Sequence, residues 1–240
     1  MTSGPQPGFP RPELKSRYDV DSIREDEWHT YSGEITNKII QAQLTAASLK
    51  THRRLLNAGC GIYRLDLQNW SEVRLDLFDL PIKESHLSVC GSVEYLPFCR
   101  DSFGAVVCVG EVLGYCDPAA ALREFARVLA PSGILISDFG SSKSIRRLLT
   151  RSFGRAADLI TDDYNGSPER TWVYDPSYIR ALFVASGFKV QKVFGTHTWS
   201  ALVRRLGCSR SFSVSVQRRL EWLPLPLRTA DLITVVAARD

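Results

Sequence analysis

Several features that would mark other protein classes are missing from this 240-residue sequence. No apolar run reaches the roughly 18 residues that a membrane-spanning helix needs. The six cysteines include no Cys-x-x-Cys pair and fall mostly in apolar, strand-like runs, which favours reduced, buried thiols over disulfides or a metal site. The first 15 residues lack the apolar core of a signal peptide, so we expect a cytoplasmic protein without membrane contact.

A large charge imbalance is also missing. The formal net charge is +4, which argues against a nucleic-acid partner but is compatible with an acidic small molecule. Hydrophobic residues make up 44% of the chain and charged residues 23%, as in an ordinary globular protein. The length suits one full α/β domain and is short for two. We find no internal repeat.

Short apolar runs alternate with helical patterns along the chain. The helical patterns cover 34–50, 117–130, where Asp117 is the expected N-cap and Pro131-Ser132-Gly133 the stop, and 175–185. Asn165-Gly166 predicts a hairpin turn. The pattern predicts a mostly parallel sheet with helices on both faces and ligands at the carboxyl ends of the strands. Its expected strands are 54–58, 73–77, 87–90, 105–109, 134–138, 189–194 and 231–236.

The most informative stretch is 55–61, in which a short apolar strand runs into the turn Gly59-Cys60-Gly61. Glycines in such a turn let the backbone approach a ligand without interference from Cβ atoms. A nicotinamide-dependent oxidoreductase is one candidate, but it would need a third glycine near position 64, where Arg64 stands.

Two further segments give this turn a context. Glu94-Tyr95-Leu96-Pro97-Phe98 follows the third expected strand, and Glu124-Phe125-Ala126-Arg127-Val128-Leu129-Ala130-Pro131-Ser132-Gly133 precedes the fifth. The succession resembles class I S-adenosylmethionine-dependent methyltransferases, within them the type 11 branch related to quinone-biosynthesis and natural-product enzymes. The resemblance covers 53–140 well and 170–195 weakly.

This resemblance implies a Rossmann-like α/β fold with seven strands in the order 3-2-1-4-5-7-6. It further implies S-adenosylmethionine as cofactor and methyl transfer to an oxygen or nitrogen atom of a small molecule, a secondary metabolite, by a monomer or homodimer. The corresponding division is a flexible tail (1–20) and a single methyltransferase domain (21–240). Within that domain we expect a helical lid (21–52), a cofactor-binding core (53–140), a substrate-pocket insertion (141–180), and C-terminal strands and helices (181–240).

The resemblance also assigns a cofactor site. Asp76 is expected to accept the ribose hydroxyls, as acidic residues do in nicotinamide folds, with Asp79 as the alternative. Ser92 stands where relatives carry an acid that meets the adenine amino group. The segment after the fourth strand should pass the sulfonium and amino group of the cofactor. The full set of expected cofactor contacts is Asn57, Ala58, Gly59, Cys60, Gly61, Asp76, Leu77, Gly91, Ser92, Val93, Gly110, Glu111 and Val112.

On the acceptor side, His29 and His197 are the candidate bases, and Tyr115 replaces a histidine common in relatives. His29 and Tyr31 are expected just before the N-terminal helix. Tyr31, Tyr164 and Trp172 are the expected pocket residues. Tyr164 and Trp172, together with Phe153, predict an aromatic, fairly apolar wall.

Three departures from the family pattern leave a second hypothesis open. Asn57 replaces an acid, Tyr63 a glycine and Gly104 an aspartate. A catalytically silent relative that binds the cofactor or a partner is therefore an alternative.

Two other patterns invite a functional interpretation. Asp175-Pro176-Ser177-Tyr178 echoes a motif of nucleic-acid amino methyltransferases, but it fits better as a helix start. The pairs Arg204-Arg205 and Arg218-Arg219 are interpreted as a solvated helix face.

Overall fold

The computed structural model describes residues 27–46, 53–61, 65, 67, 69–78, 87–164, 167–220, 222–223 and 227–240. The expected tail, Tyr63, Arg64, Asp79 and the turn at 165–166 lie outside the described residues, and of Tyr164 only the backbone is described. The helices are α1 (Glu27–Ala46), α2 (Pro118–Val128), α3 (Pro176–Ala185), α4 (Thr198–Arg205) and α5 (Arg210–Leu220). The strands are β1 (Arg54–Ala58), β2 (Ser71–Asp76), β3 (Leu87–Cys90), β4 (Phe103–Cys108), β5 (Leu129–Gly140), β6 (Ala157–Tyr164), β7 (Ser167–Tyr174), β8 (Phe188–Thr196) and β9 (Leu232–Arg239).

Seven strands form one sheet in the order β3-β2-β1-β4-β5-β9-β8. Neighbours among β1 to β5 pair in parallel, whereas β9 runs antiparallel to both β5 and β8. Strands β6 and β7 pair with each other as a separate antiparallel hairpin. When the hairpin strands are left out of the count, the order is the predicted 3-2-1-4-5-7-6. The α/β fold with a mostly parallel sheet is therefore confirmed.

The sheet is buried on both faces because successive residues of a strand point to opposite sides. Leu55 and Val107 contribute to a cluster beneath α1, with Ile40 and Leu44 of that helix. Leu56 and Val106 face the other way, into the larger cluster that contains residues of α2 and α3. Each large side chain buried in this way contributes about 1.5–3 kcal/mol of hydrophobic stabilisation.

Helix α2 begins where the sequence predicts, because Asp117 caps it. The Asp117 carboxylate accepts the N–H groups of Ala119 and Ala120 at 2.9 and 3.3 Å. The helix ends at Val128, earlier than predicted, because β5 already begins at Leu129 and extends through the expected Pro131-Ser132-Gly133 stop. The tripeptide forms an irregular stretch of β5, because Leu129 pairs with Phe103, pairing resumes only at Ile134, and Ser132 has φ 63°.

The N-terminal helix differs more from expectation. It begins at Glu27 rather than at residue 34, so His29 and Tyr31 lie inside the helix and their predicted position before it is wrong. The additional turns are held by tertiary contacts, since Trp28 stacks on His197 at 3.9 Å between ring centroids. Such contacts join residues about 170 positions apart and leave no local pattern in the sequence.

Among the described residues, no helix has both the length and the apolar character that crossing a membrane requires.

Candidate functional site

The site begins where β1 ends. Gly59 (φ 69°) and Gly61 (φ 48°) turn the backbone over the carboxyl end of the sheet. The N–H groups of Gly59 and Cys60 both donate to the carbonyl of Leu75, at 2.8 and 3.1 Å. A Cβ atom on Gly59 would lie 2.6 Å from a methyl carbon of Val112. Glycine is therefore required here both by the backbone angle and by the packing against the segment after β4.

Asp76 ends β2 directly beside this turn. Its Oδ2 accepts the N–H of Gly61 at 2.8 Å, and its Oδ1 accepts the N–H of Phe78 at 3.2 Å. Each carboxylate oxygen has two lone pairs, so both oxygens can accept one further hydrogen bond. Asp76 is 7% exposed and lines a cavity of about 810 Å³. This is the geometry of a carboxylate that can receive two hydroxyl donors from a bound molecule.

Strand β2 also braces the glycine turn with side chains. Asn57 donates from Nδ2 to Glu72 Oε1 at 2.8 Å, and Arg74 donates to the carbonyl of Gly61 at 3.2 Å. Burial raises the pKa of the Cys60 thiol to about 11, so this side chain is a small neutral part of the wall. The carboxylate of Glu72 thus lies against Asn57, the position where the sequence departs from the family acid.

The loop after β3 forms another part of the same wall. Gly91 donates its N–H to the carbonyl of Asp76 at 2.8 Å. Ser92 Oγ accepts the N–H of Glu94 at 3.2 Å, and Glu94 in turn accepts the N–H of Asp117 at 2.7 Å. The loop is therefore fixed both to β2 and to the start of α2.

The segment after β4 is held in an unusual conformation. The Asp138 carboxylate accepts the N–H groups of Gly110 and Glu111 at 3.1 and 2.8 Å. Glu111 has φ 61°, a left-handed backbone angle that is uncommon for a residue with a side chain. Burial raises the pKa of Asp138 to about 6, although these two N–H donors oppose the rise.

Glu111 projects a carboxyl group into the cavity. Burial raises its pKa to about 8; the carboxylates of Asp231, Asp138 and Glu169 contribute to the increase, and Arg147 opposes it. The group is consequently mostly protonated at neutral pH and half-ionised at about pH 8. A cation placed beside it would favour the ionised form.

The opposite wall comes from the β6–β7 hairpin and is rich in charge. Its cavity-lining residues are Ile160, Asp162, Glu169 and Thr171. Tyr115 donates its hydroxyl proton to Glu169 Oε1 at 2.6 Å. Burial, with the Glu169 and Glu111 carboxylates, raises the pKa of Tyr115 well above its usual value, so the phenol stays protonated.

Two arginines from the 3-10 turn Ile145–Arg147 enter the same wall. Arg146 forms an ion pair with Asp162, and Arg147 forms one with Asp231 at 2.5 Å. Burial alone would raise the pKa of Asp231, but Arg147 and Arg146 lower it to about 2. The predicted aromatic, fairly apolar wall is therefore wrong.

His197 lies at the junction of this wall with α1. It has φ 61° and is 1% exposed. Its Nε2 lies 2.6 Å from Ser32 Oγ, and its Nδ1 lies 3.0 Å from Ser200 Oγ. With both ring nitrogens hydrogen-bonded and the ring stacked on Trp28, His197 joins α1 to the start of α4.

The cavity brings together most of the residues singled out from the sequence. His29, His197 and Tyr115 line it, as do Asn57, Gly59, Cys60, Gly61, Asp76, Leu77, Gly91, Ser92, Val93, Gly110, Glu111 and Val112. Ala58 is fully buried behind the wall.

Tyr31, Trp172 and Phe153, the expected aromatic residues whose side chains are described, lie outside the cavity lining. The Tyr31 ring is buried between His197 and Arg218, at 5.2 and 5.0 Å. Successive residues of β7 point to opposite faces of the strand. Glu169 and Thr171 therefore face the cavity, whereas Trp172 packs against the core. Phe153 is 40% exposed and does not line the cavity.

Sequence reasoning missed Asp138, Arg147, Glu169 and Asp231. One local feature of the sequence could have indicated two of the cavity-lining residues. Glu169 and Thr171 are two positions apart on a strand and therefore share a face. Arg218 was interpreted as solvated, but it forms an ion pair with Glu34 at 2.9 Å and lies over the Tyr31 ring. Asp175 caps α3 as predicted and accepts the N–H of Ser177 at 2.7 Å.

Comparison with known proteins agrees with this arrangement. Residues 47–137 match the family model described as "Methyltransferase domain". The chain has no significant sequence match among curated proteins.

Solved structures resemble the whole fold at low identity. One is 1,6-didemethyltoxoflavin-N1-methyltransferase from Burkholderia thailandensis, solved with 1,6-didemethyltoxoflavin and S-adenosylhomocysteine bound. It has 15% identity and a TM-score of 0.59, over 99% of this chain and 93% of that one. The glycopeptide N-methyltransferase MtfA, complexed with S-adenosylmethionine, has 15% identity and a TM-score of 0.54, over 85% and 94%. The [4+2]-cyclase SpnF has 15% identity and a TM-score of 0.55, over 85% and 80%.

Proposed function

We propose that this chain is an S-adenosylmethionine-dependent methyltransferase that transfers a methyl group to an oxygen or nitrogen atom of a small molecule, which the match of residues 47–137 to a methyltransferase domain supports. The observation that carries the proposal is the cavity at the carboxyl ends of β1, β2 and β4. Its wall combines the Gly59-Cys60-Gly61 turn with the carboxylate of Asp76. A parallel α/β sheet binds nucleotide-like ligands at this edge.

The residues present fit the nucleoside part of S-adenosylmethionine. Asp76 has one lone pair left on each oxygen, which suits the two ribose hydroxyls. Gly110 has φ 90°, and apart from its chain neighbours no atom of the described residues lies within 4 Å of the position that its Cβ would occupy, which supports a close approach of a ligand to the backbone there. The bound cofactor would supply an activated methyl group on a sulfonium sulfur.

The chain's own contribution is alignment. As the methyl group moves, the positive charge on sulfur passes to a neutral acceptor atom or cancels the charge of an anionic one, so no new anion has to be stabilised. Holding the acceptor in line with the methyl group can supply about 7–11 kcal/mol of the rate enhancement. We propose that the charged wall of Glu169, Asp162, Arg146 and Arg147 orients the acceptor, while α1 closes the side of the cavity through Trp28 and Ser32.

His197 and His29 remain the proposed candidate bases, and Tyr115 a hydrogen-bond donor. Both nitrogens of the His197 ring lie within hydrogen-bonding distance of a serine hydroxyl. These contacts support a role of His197 in orienting other groups, in addition to any proton transfer. His29 and Tyr115 line the cavity directly.

A non-catalytic cofactor-binding protein is the second candidate, and the departures from the family pattern at Asn57, Tyr63 and Gly104 favour keeping it, because fold alone does not determine activity. Calorimetry with S-adenosylhomocysteine tests cofactor binding for both candidates. Incubation with S-adenosylmethionine and a metabolite extract, followed by mass detection of products 14 Da heavier, then separates them. Binding with methylated product supports the enzyme, binding without it supports the silent relative, and no binding contradicts both.

A further inference from the structure

We propose that the methyl acceptor carries a carboxylate group and that the guanidinium group of Arg204 binds it. This inference rests on the proposed function, because it names a substrate class for the same cavity. Arg204 lies in the last turn of α4 and lines the cavity. From the sequence, the pair Arg204-Arg205 was interpreted as part of a solvated helix face. The structure instead places Arg204 half-buried at the cavity wall.

Helical spacing gives the direction of the Arg204 side chain. Arg204 follows Ser200 by four residues and Ala201 by three, so the three residues share one face of α4. Ser200 and Ala201 are fully buried. The Oγ of Ser200 lies 3.0 Å from Nδ1 of His197, which also lines the cavity. Arg204 therefore continues this inward face by one turn, to the end of the helix.

Two hydrogen bonds hold the end of α4 in place. Arg204 donates from Nη1 to the carbonyl of Cys208 at 2.9 Å, and Arg205 donates from Nη1 to the carbonyl of Arg146 at 3.1 Å. The second bond joins the helix end to the 3-10 turn Ile145–Arg147, which also contributes to the cavity wall. A guanidinium that is already held in position loses less conformational entropy when a ligand binds to it.

The charge of Arg204 is not balanced in the way that the charges of the 3-10 turn are. Arg146 forms an ion pair with Asp162. Arg147 forms an ion pair with Asp231 at 2.5 Å. Within the described part of the chain, Arg204 has no carboxylate partner, and one backbone carbonyl is its hydrogen-bond acceptor. A guanidinium has five N–H donors, so most of those of Arg204 are available to a ligand.

A carboxylate matches this guanidinium in charge and in shape. Its two oxygens can accept two parallel N–H donors, and such charge-assisted hydrogen bonds are about twice as strong as neutral ones. A phosphate ester carries a charge of about −1.5 to −2 at neutral pH. The arginines of the neighbouring 3-10 turn already balance two aspartates, so Arg204 favours a ligand group with a single negative charge.

This ion pair orients the acceptor in the cavity. A carboxylate that accepts two charge-assisted hydrogen bonds is a weaker nucleophile, because its electron density is drawn towards the guanidinium. The oxygen or nitrogen atom that receives the methyl group is therefore a different atom of the same molecule.

The test compares carboxylates with their primary amides, which have the same shape and no charge. Benzoate and 3-phenylpropanoate, with benzamide and 3-phenylpropanamide as partners, are titrated calorimetrically into the full chain saturated with S-adenosylhomocysteine at neutral pH. We expect each carboxylate to bind at least about tenfold more tightly than its amide. Phenyl phosphate, titrated in the same way, should bind no more tightly than benzoate.

Variants then locate the preference. Arg204→Gln removes the charge and keeps a polar side chain, so the preference for carboxylates should fall to about threefold or less while the affinity for S-adenosylhomocysteine is unchanged. Arg219→Gln is the matched control, because Arg219 is an exposed arginine of α5 that does not line the cavity. It should keep the full preference.

Each outcome is decisive. Carboxylates that bind no more tightly than their amides, or not at all, to a chain that does bind S-adenosylhomocysteine overturn the carboxylate assignment and leave the proposed function intact. A preference that survives Arg204→Gln, or tighter binding of phenyl phosphate than of benzoate, also overturns it. The wild-type comparison does not depend on whether a variant folds. Failure to bind S-adenosylhomocysteine would instead contradict the proposed function.

Discussion

The two sides of the cavity are formed by different kinds of chemical groups. The side formed by β1, β2 and β3 uses mainly backbone groups of short loops, together with the carboxylate of Asp76. The side formed by β6, β7 and the turn at Ile145–Arg147 uses side chains, four of them charged: Arg146, Arg147, Asp162 and Glu169. A backbone surface suits a ligand that is the same in every reaction, whereas side chains can be exchanged to suit a particular acceptor.

The largest effect on ligand affinity should come from adding one carbon atom to the side formed by β1, β2 and β3, which we call the backbone-built side. Gly59→Ala places a Cβ 2.6 Å from Val112 at φ 69°, so the turn and the segment after β4 must move apart. We expect the affinity for S-adenosylhomocysteine to fall about a hundredfold, which corresponds to the 1–3 kcal/mol cost of overpacking.

Gly187→Ala is the matched control for this change. Gly187 also has a left-handed angle, φ 84°, but in the described part of the chain no atom beyond its immediate neighbours in sequence lies within 4 Å of its Cβ position. The control should cost about 1 kcal/mol of folding free energy and leave ligand affinity unchanged. Equal affinities for the two variants would show that the glycine turn is not part of the ligand site.

The second prediction concerns Asp76, the side chain on that side that is expected to accept the ribose hydroxyls. Asp76→Asn replaces one acceptor oxygen by a donor, so affinity for S-adenosylhomocysteine should fall about tenfold. The 2′-deoxy analogue provides the sharper readout, because the wild type should prefer the ribose form and the variant should lose that preference. If Asp76→Asn discriminates the two sugars as well as the wild type does, Asp76 does not bind the ribose.

The third prediction concerns the pH dependence of stability that arises from Glu111, next to the charged side. The pKa of Glu111 is raised from 4.5 to about 8, so the folded state binds more protons than the unfolded state across that interval. Stability must therefore fall as pH rises towards 8 and level off above it. The charged groups around Glu111 are Asp231, Asp138, Arg147 and Glu169, and the two aspartates titrate at about 2 and about 6.

Glu111→Gln should remove this dependence. Between about pH 6 and 9 the wild type should lose about 1–3 kcal/mol of unfolding free energy through Glu111, and the variant should not. Urea unfolding at several pH values measures the difference. Parallel curves for the two proteins would mean that the Glu111 carboxyl is not perturbed in the folded state.

The smallest effect should come from an ion pair outside the cavity. Arg218 and Glu34 join α5 to α1, but both side chains are more than 40% exposed. Glu34→Gln should therefore cost less than about 1 kcal/mol in urea unfolding, and less still in high salt. A larger loss would indicate that α1 depends on this pair more than on the stacking of Trp28 against His197.

The same contrast explains what the sequence could predict. The glycine turn, Asp76 and the Asp117 cap are local features, in which neighbouring residues both carry the signal and form the structure. Strand β1 was predicted with its observed ends, the mostly parallel sheet followed from the alternation of strands and helices, and the strand order was implied by the family resemblance. The backbone-built side could therefore be predicted without knowing which distant residues of the chain contact each other.

The charged side could not be predicted in this way. Arg147 meets Asp231 across 84 positions, and Tyr115 meets Glu169 across 54. Trp172 drew attention as an aromatic residue, but strand alternation turns it to the core and turns Thr171 to the cavity. The early start of α1 likewise depends on His197, far along the chain.

Hydrogen–deuterium exchange with and without S-adenosylhomocysteine tests the central claim most directly. If the nucleoside lies over the carboxyl ends of β1, β2 and β4, the ligand should slow exchange in peptides that cover 57–61, 76–78, 91–93 and 110–112. Exchange in β8, at the far edge of the sheet, should not change. Protection confined to other regions, or none at saturating ligand, would contradict the assignment of this cavity as the cofactor site.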